Sequence, residues 1–320
     1  WEMLRKLKEQ EITMLVSTPY MDEASLCDKI ALIQQGRFLQ EATPRQIIDQ
    51  FEETLWAVQS SNMHMLIAHL RSHPQVTSCF AFGEVLGKIA PDYPDTKFVI
   101  IDMVVEQPNV QSVVFAEPEG SYLAGVMAAK ASKSGTVSFV GGMDVPLIHK
   151  FECGYVQGVK ATNPDAKVLI NYTGTTPTAW NDPVKGGELV KAQISQGSDV
   201  VYAAAGGTGI GVLQAAADAG ILSIGVDSNQ NHLHPGKVLT SMVKAVDNSV
   251  YEAFKAGADV QPGIKVMDLA SGGVSVAMDD NNKALVTPEM QAAVDAATKG
   301  IIDGSIQVHD YMTDNTCPVK

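Results

Sequence analysis

Residues 199–228 read DVVYAAAGGTGIGVLQAAADAGILSIGVDS. An apolar run at 199–204 has strand length and ends in Gly206-Gly207; small and apolar residues follow at helical spacing over 208–219. A second apolar run, 221–226, then stops at Asp227. Strand, glycine turn, helix and strand in this order make a β-α-β unit. Both strands are apolar throughout, so they belong to a parallel sheet covered on two faces rather than to a sheet with one wet face.

The same rhythm runs outward. Upstream, 97–102 (KFVIID) is a buried strand, 120–130 a helix of small residues, and 136–140 a strand ending in Gly141-Gly142. A helix over 150–162, a strand over 167–172 and a helix over 186–196 follow. Downstream come a strand at 238–242 and a helix at 248–255, then 272–276, 283–286 and 289–302 as a hairpin and a final helix. Alternation of this kind predicts an α/β fold with parallel sheets.

The first 84 residues differ. A charged helix end at 1–11, a strand at 12–16 broken by Pro19, and a helix start at 22–26 precede a hairpin that turns at Gly36. Thr43 and Pro44 cap a helix over 46–51. A strand at 55–58 and a helix at 63–72, stopped by Pro74, complete it. The character changes at Phe82-Gly83-Glu84 without a polar linker. The expected division is therefore 1–84 and 85–320.

The 320 residues are 45% hydrophobic and carry a net charge of −13, which repels phosphate backbones and disfavours a nucleic-acid partner. The four cysteines are widely spaced with no CxxC, so buried or free thiols are expected and no zinc site. No apolar stretch approaches the ~20 residues of a membrane helix. Trp1-Glu2-Met3-Leu4-Arg5-Lys6 is an amphipathic start and not a signal peptide. His69 and His73 share a helix face but have no acidic or thiol companion at ligand spacing, so a polar face is expected and no metal.

Five residues form the candidate binding set. Gly206 and Gly207 follow a strand and open a helix, where backbone N–H groups are free for a polar ligand; a tight turn explains them equally. GxGxxG is not met, because Val212 holds its last position. Asp227 ends a buried strand and can accept hydrogen bonds from hydroxyls, or cap a helix. Lys244 follows a strand and can reach the same crevice, or lie on the surface. Trp180, in Trp180-Asn181-Asp182-Pro183, can stack on a base or fill a core. Together they fall at the carboxyl ends of parallel strands, where such sheets bind ligands. Neither a nucleophile–base pair nor paired carboxylates stand at a defined spacing, so no catalytic residue and no cofactor are expected.

Two resemblances sharpen this reading. Leu15-Val16-Ser17-Thr18, Tyr20-Met21-Asp22-Glu23-Ala24 and Cys27-Asp28-Lys29-Ile30-Ala31-Leu32 resemble the end of an ABC transporter ATPase domain. Pro19 stands where that family has a catalytic His, and no phosphate-cradling GxxxxGK[ST] loop is present, so hydrolysis is not implied. From about Val85 on, Glu119-Gly120-Ser121-Tyr122-Leu123-Ala124-Gly125, Phe139-Val140-Gly141-Gly142, Trp180-Asn181-Asp182-Pro183, Gly225-Val226-Asp227-Ser228 and Ser241-Met242-Val243-Lys244 form a second set of motifs. In combination they resemble the BMP family, nucleoside-binding lipoproteins of ABC importers. This resemblance implies a type I periplasmic-binding fold of two α/β lobes, here lacking the first β/α units. It also implies Trp180 on a nucleoside base, Asp227 on ribose hydroxyls, and Lys244 at the sugar or fixing Asp227. The implied partners are permease subunits, and the implied place is the periplasm or cell surface; the N-terminus as written implies the cytoplasm. Two other functions are carried: an ATPase-tail accessory module without hydrolysis, and a nucleotide-cofactor enzyme.

Overall fold

The computed structural model describes residues 28–34, 37–43, 46 and 83–319. The chain divides into two compact units, Trp1–Gln59 and Ser60–Lys320. In the first unit, β1 (Ile30–Gln34) and β2 (Arg37–Ala42) pair antiparallel as the expected hairpin. Thr43 and Gln46 then exchange side-chain bonds: Gln46 N donates to Thr43 Oγ1 at 3.2 Å and Thr43 N to Gln46 Oε1 at 3.0 Å. That reciprocal pair is a capping box and fits the N-cap read at Thr43. The elements expected over 1–26, 47–58 and 63–72, with His69 and His73, lie outside the described residues.

Among the described residues, the second unit begins with α1 (Gly83–Ile89) and holds two sheets. In the smaller, β3 (Phe98–Ile101) pairs parallel with β4 (Val110–Phe115), which pairs parallel with β10 (Gly263–Met267). The larger contains β5 (Thr136–Met143), β6 (Lys167–Gly174), β7 (Val200–Ala204), β8 (Leu222–Asp227), β9 (Val238–Lys244) and β11 (Val274–Val276). Its order is β11-β9-β8-β7-β5-β6, with every pair parallel except β11 on β9.

Helices cover both faces of this sheet. α2 (Glu117–Ala131) and α3 (Pro146–Thr162) pack on each other and on a core that includes Phe139, Tyr155, Tyr202 and Met242. Their backbones meet so closely that a Cβ on Gly158 would overlap Tyr122 O. α4 (Pro183–Ser195) and α5 (Gly207–Ala219) pack together and bury Val190, Val201, Val212 and Leu213 in a second cluster. α6 (Val246–Ala256) follows β9, and α7 (Pro288–Ile302) lies against α2.

The α/β class with parallel sheets holds, and three local readings are corrected. α3 and α4 begin earlier than expected, each with proline in its first turn, the position where a missing N–H costs nothing. The hairpin expected over 272–286 does not form. Its first arm is β11, which joins β9, while 281–285 turn. Buried Asn282 holds the turn by donating to Leu239 O and Ala277 O at 2.8 and 2.9 Å and accepting from Asp279 N at 2.8 Å. Cys153 and Cys317, expected as thiols, form a disulfide across 164 positions of sequence. Wide spacing concealed the pair, because the fold and not the sequence distance brings them together.

Candidate functional site

In the larger sheet the chain runs from β5 out to β6, then crosses back over β5 to β7. This reversal opens a crevice at the carboxyl ends of β5 and β7, where doubly wound sheets take ligands. The indole of Trp180 stands there, half-buried. It ends a short 3₁₀ turn, Pro177–Trp180, whose Ala179 carbonyl accepts from Thr173 Oγ1 at 2.8 Å and from Thr208 Oγ1 at 2.7 Å. Asp182 N in turn donates to Thr208 Oγ1 at 2.7 Å. The ends of β6 and the start of α5 thus fix the loop.

Two glycines make room for the ring. A Cβ on Gly142, at the end of β5, would overlap Trp180 Cζ3 and Cε3. Gly206, after β7, has φ +56° and would carry a Cβ 3.5 Å from Trp180 Cε3. Gly207 passes beside the Trp180 carbonyl, where a Cβ would lie 3.1 Å from that oxygen. The structure therefore brings Trp180, Gly206 and Gly207 together, with the glycines packed against the indole and its loop.

Asp227 ends β8, one strand beyond β7 in the sheet order. Asp227 and Gly206, which packs on the indole, thus stand at the carboxyl ends of neighbouring strands, which lie about 4.8 Å apart. Asp227 has φ +64°, a conformation that disfavours side chains other than glycine. Burial pushes its carboxyl above the usual aspartate range; Lys244 opposes that rise, and Asp102 and Glu117 add to it.

Lys244 is the last residue of β9 rather than a residue after the strand, and only 6% of it is exposed. Its Nζ lies 2.6 Å from Asp102 Oδ1, 3.2 Å from Glu117 Oε1 and 4.7 Å from the centre of the Phe115 ring. Burial works against the ammonium, but Asp102, Glu117 and Asp227 outweigh it and hold Lys244 well above the ordinary lysine range. Its surface alternative is therefore excluded. This ammonium ties the two sheets, since Asp102 follows β3 and Phe115 ends β4.

Asp102, Glu117 and Lys150 escaped the sequence reading. Asp102 repeats the pattern of Asp227: it follows an apolar parallel strand and has φ +62°. KFVIID and SIGVD, both ending in Asp, carried that signal. Glu117 opens α2, where a helix N-terminus favours a carboxylate, and bridges Lys244 to Lys150, whose Nζ is 2.7 Å from Glu117 Oε2. No sequence pattern marks Lys150.

Chemically, this edge offers a flat aromatic face and carboxylate oxygens that accept from hydroxyls. Among the described residues no group of three His, Cys, Asp or Glu is arranged to hold a metal ion. Among them, too, no helix is long and apolar enough to cross a membrane.

Known proteins resemble this chain in sequence and fold. The family model described as Bmp, ABC transporter substrate-binding protein PnrA-like, matches residues 48–310, starting upstream of the composition seam. The ABC transporter nucleoside-binding protein BmpA of Lactococcus lactis subsp. cremoris is 38% identical over 251 residues, 72% of this chain and 69% of that protein. The CD4+ T-cell-stimulating antigen of Listeria monocytogenes is 33% identical over 254 residues, 72% and 68% of the two chains. Among solved structures, an ABC transporter solute-binding protein from Aeropyrum pernix K1 superposes with TM-score 0.65 at 26% identity, covering 72% of this chain and 75% of that one. By sequence and fold alike, the chain belongs to the Bmp family of PnrA-like ABC transporter substrate-binding proteins.

Proposed function

We propose that this substrate-binding protein takes a nucleoside, purine or pyrimidine, at the carboxyl edge of the larger sheet. The observation that supports the proposal most is that the glycines packed on Trp180, Gly142 and Gly206, and the carboxylate Asp227 belong to the carboxyl ends of β5, β7 and β8 in one sheet. The printed name of the Lactococcus relative, a nucleoside-binding protein, supports the same ligand class. Trp180 stacks on the base, which adds about 1 kcal/mol beyond buried area. Asp227 accepts from ribose hydroxyls in charge-assisted bonds of roughly 1.5–3 kcal/mol each. Gly206 and Gly207 let the Trp180 loop pack closely on the backbone and so seat the indole. Lys244 acts at one remove: it clamps Asp102 and Glu117 and favours the ionised form of Asp227. Asp102, with 35% of its side chain exposed, presents its second oxygen from the other lobe.

The ligand is captured by closure of the two lobes and released unchanged to permease subunits. No bond is made or broken. The Cys153–Cys317 disulfide supports a place outside the cytoplasm, where disulfides persist.

Isothermal titration with adenosine, guanosine, cytidine and uridine, against ATP and NAD, tests the reading. Binding of a nucleoside that is lost in Trp180→Ala and in Asp227→Ala supports it. ATP binding in its place would favour an ATPase-derived accessory module, and NAD binding a cofactor enzyme.

A further inference from the structure

We propose that the segment after α7 is a strap whose thiol–disulfide state positions Lys150, and through it Glu117 and Lys244, at the ligand crevice. Its first residues stay on α7 and the core, through the bond from Ile306 N to Gly300 O and the packing of Ile306 and Val308; four further fastenings, from His309 on, are on α3. The Tyr311 ring stacks on His149 with centroids 4.7 Å apart. Asp310 Oδ2 lies 3.5 Å from Lys150 Nζ. Gln157 Nε2 donates to His309 O at 3.0 Å, and His309 N donates back to Gln157 Oε1 at 2.9 Å. Cys317 closes the strap onto Cys153, a residue 1% exposed. Between α7 and Cys317 the segment has one short 3₁₀ turn, Tyr311–Thr313, and no strand pairing. Beyond Val308, its place on the protein is set by these contacts with α3, of which one is covalent.

Lys150 stands where the strap meets the site. It is 7% exposed, and its Nζ donates to Phe115 O at 3.1 Å and pairs with Glu117 at 2.7 Å. Glu117 passes the contact on to Lys244 at 3.2 Å, and Lys244 to Asp102 at 2.6 Å. A continuous line of alternating charge thus joins Asp310 on the strap to the two lobes at the crevice. A buried ammonium holds its place only while its carboxylates hold theirs. Lys150 is a positioning residue in this line and does not touch the ligand.

A dithiol reductant would release the strap. Its thiolate attacks one sulfur of the Cys153–Cys317 bond and forms a mixed disulfide; its second thiol displaces the remaining protein sulfur. Two electrons and two protons pass to the protein, which ends with two thiols, while the reductant becomes a disulfide. Untethered, the segment regains the chain freedom that the closed loop had removed, and Asp310 leaves Lys150 for part of the time.

The affinity part rests on the nucleoside reading, so two measurements are made on the full chain. Amide hydrogen exchange compares oxidised protein, protein reduced with dithiothreitol, and Cys317→Ser. Reduction and Cys317→Ser should both raise exchange in 305–317 and also in 115–119 and 241–245. Faster exchange confined to 305–317 would overturn the coupling, whether or not any nucleoside binds. Titration with adenosine, guanosine, cytidine and uridine should show affinity about threefold to tenfold weaker after reduction, in Cys317→Ser and in oxidised Asp310→Asn, the range a partly exposed ion pair supports. Lys150→Met should match them, with Lys150→Arg restoring affinity, a rescue that packing alone would not give. Unchanged affinity in fully reduced protein that still binds a nucleoside would overturn the proposal. If the oxidised protein binds none of the four, the nucleoside reading fails, and the exchange pattern alone decides the strap.

Discussion

Asp102 and Asp227 adopt the same left-handed backbone at φ +62° and +64°, each at the carboxyl end of a parallel strand. Such a conformation costs a non-glycine residue on the order of 1 kcal/mol or more and persists only where its surroundings insist on it. Here the surroundings are one ammonium, Lys244, which pairs with Asp102 directly and acts on Asp227 through space. Asp227 has a raised pKa, chiefly from burial. The fold therefore favours its protonated form, and ionising it costs stability at pH values above the raised pKa but not below the unfolded value. Ligand hydroxyls need the ionised form, so affinity for a nucleoside should fall on acidification sooner than for an ordinary aspartate. Titrations across the acid range would show this as an inflection above the usual carboxylate value, absent in Asp227→Asn. At this scale the sequence was half legible. An Asp after an apolar run is visible in both strands, and Trp180 stands out by type. Lys150 and Glu117 were not legible, because their partners come from helices and strands far apart in the chain.

Elements set which residues can meet. The indole site depends on the last turn of β5, where Gly142 lacks the Cβ that would strike Trp180. Gly142→Ala should displace the ring and cost about 1–3 kcal/mol, as overpacking does. Denaturant melts would register the loss, and nucleoside affinity should drop with it; a variant with wild-type stability and affinity would remove Gly142 from the site. The strands of the larger sheet were legible because each is an apolar run bounded by glycine, proline or a helix. β10 was not. Its Ile264 and Val266 are exposed, and its short run earns its place only by pairing with β4, across some 150 positions. The second hairpin arm failed for the opposite reason. Residues 283–286 read as a strand, but the Asp279–Asn282 side chains captured the local backbone as a turn.

For the second unit as a whole, the order β11-β9-β8-β7-β5-β6 puts the strand reversal at β5 and β7, while the ion line runs from Lys244 of this sheet to Asp102 after β3 of the smaller one. The Cys153–Cys317 bond closes a long loop, which restricts the unfolded chain more than the folded one. Reduction, or Cys317→Ser, should lower unfolding free energy by about 2–4 kcal/mol. Guanidinium midpoints with and without dithiothreitol check this, and equal midpoints would contradict it. Cysteine spacing hid this bond, since only the return of the segment after α7 onto α3 brings the two sulfurs together. The proposed nucleoside site, an indole and a carboxylate on one strand edge, stands or falls on a crystal structure of the full chain grown with the tightest-binding nucleoside of the four. The base should lie parallel to the Trp180 ring, with ribose oxygens within hydrogen-bond reach of Asp227; a nucleoside seated elsewhere, with both side chains untouched, would refute the site.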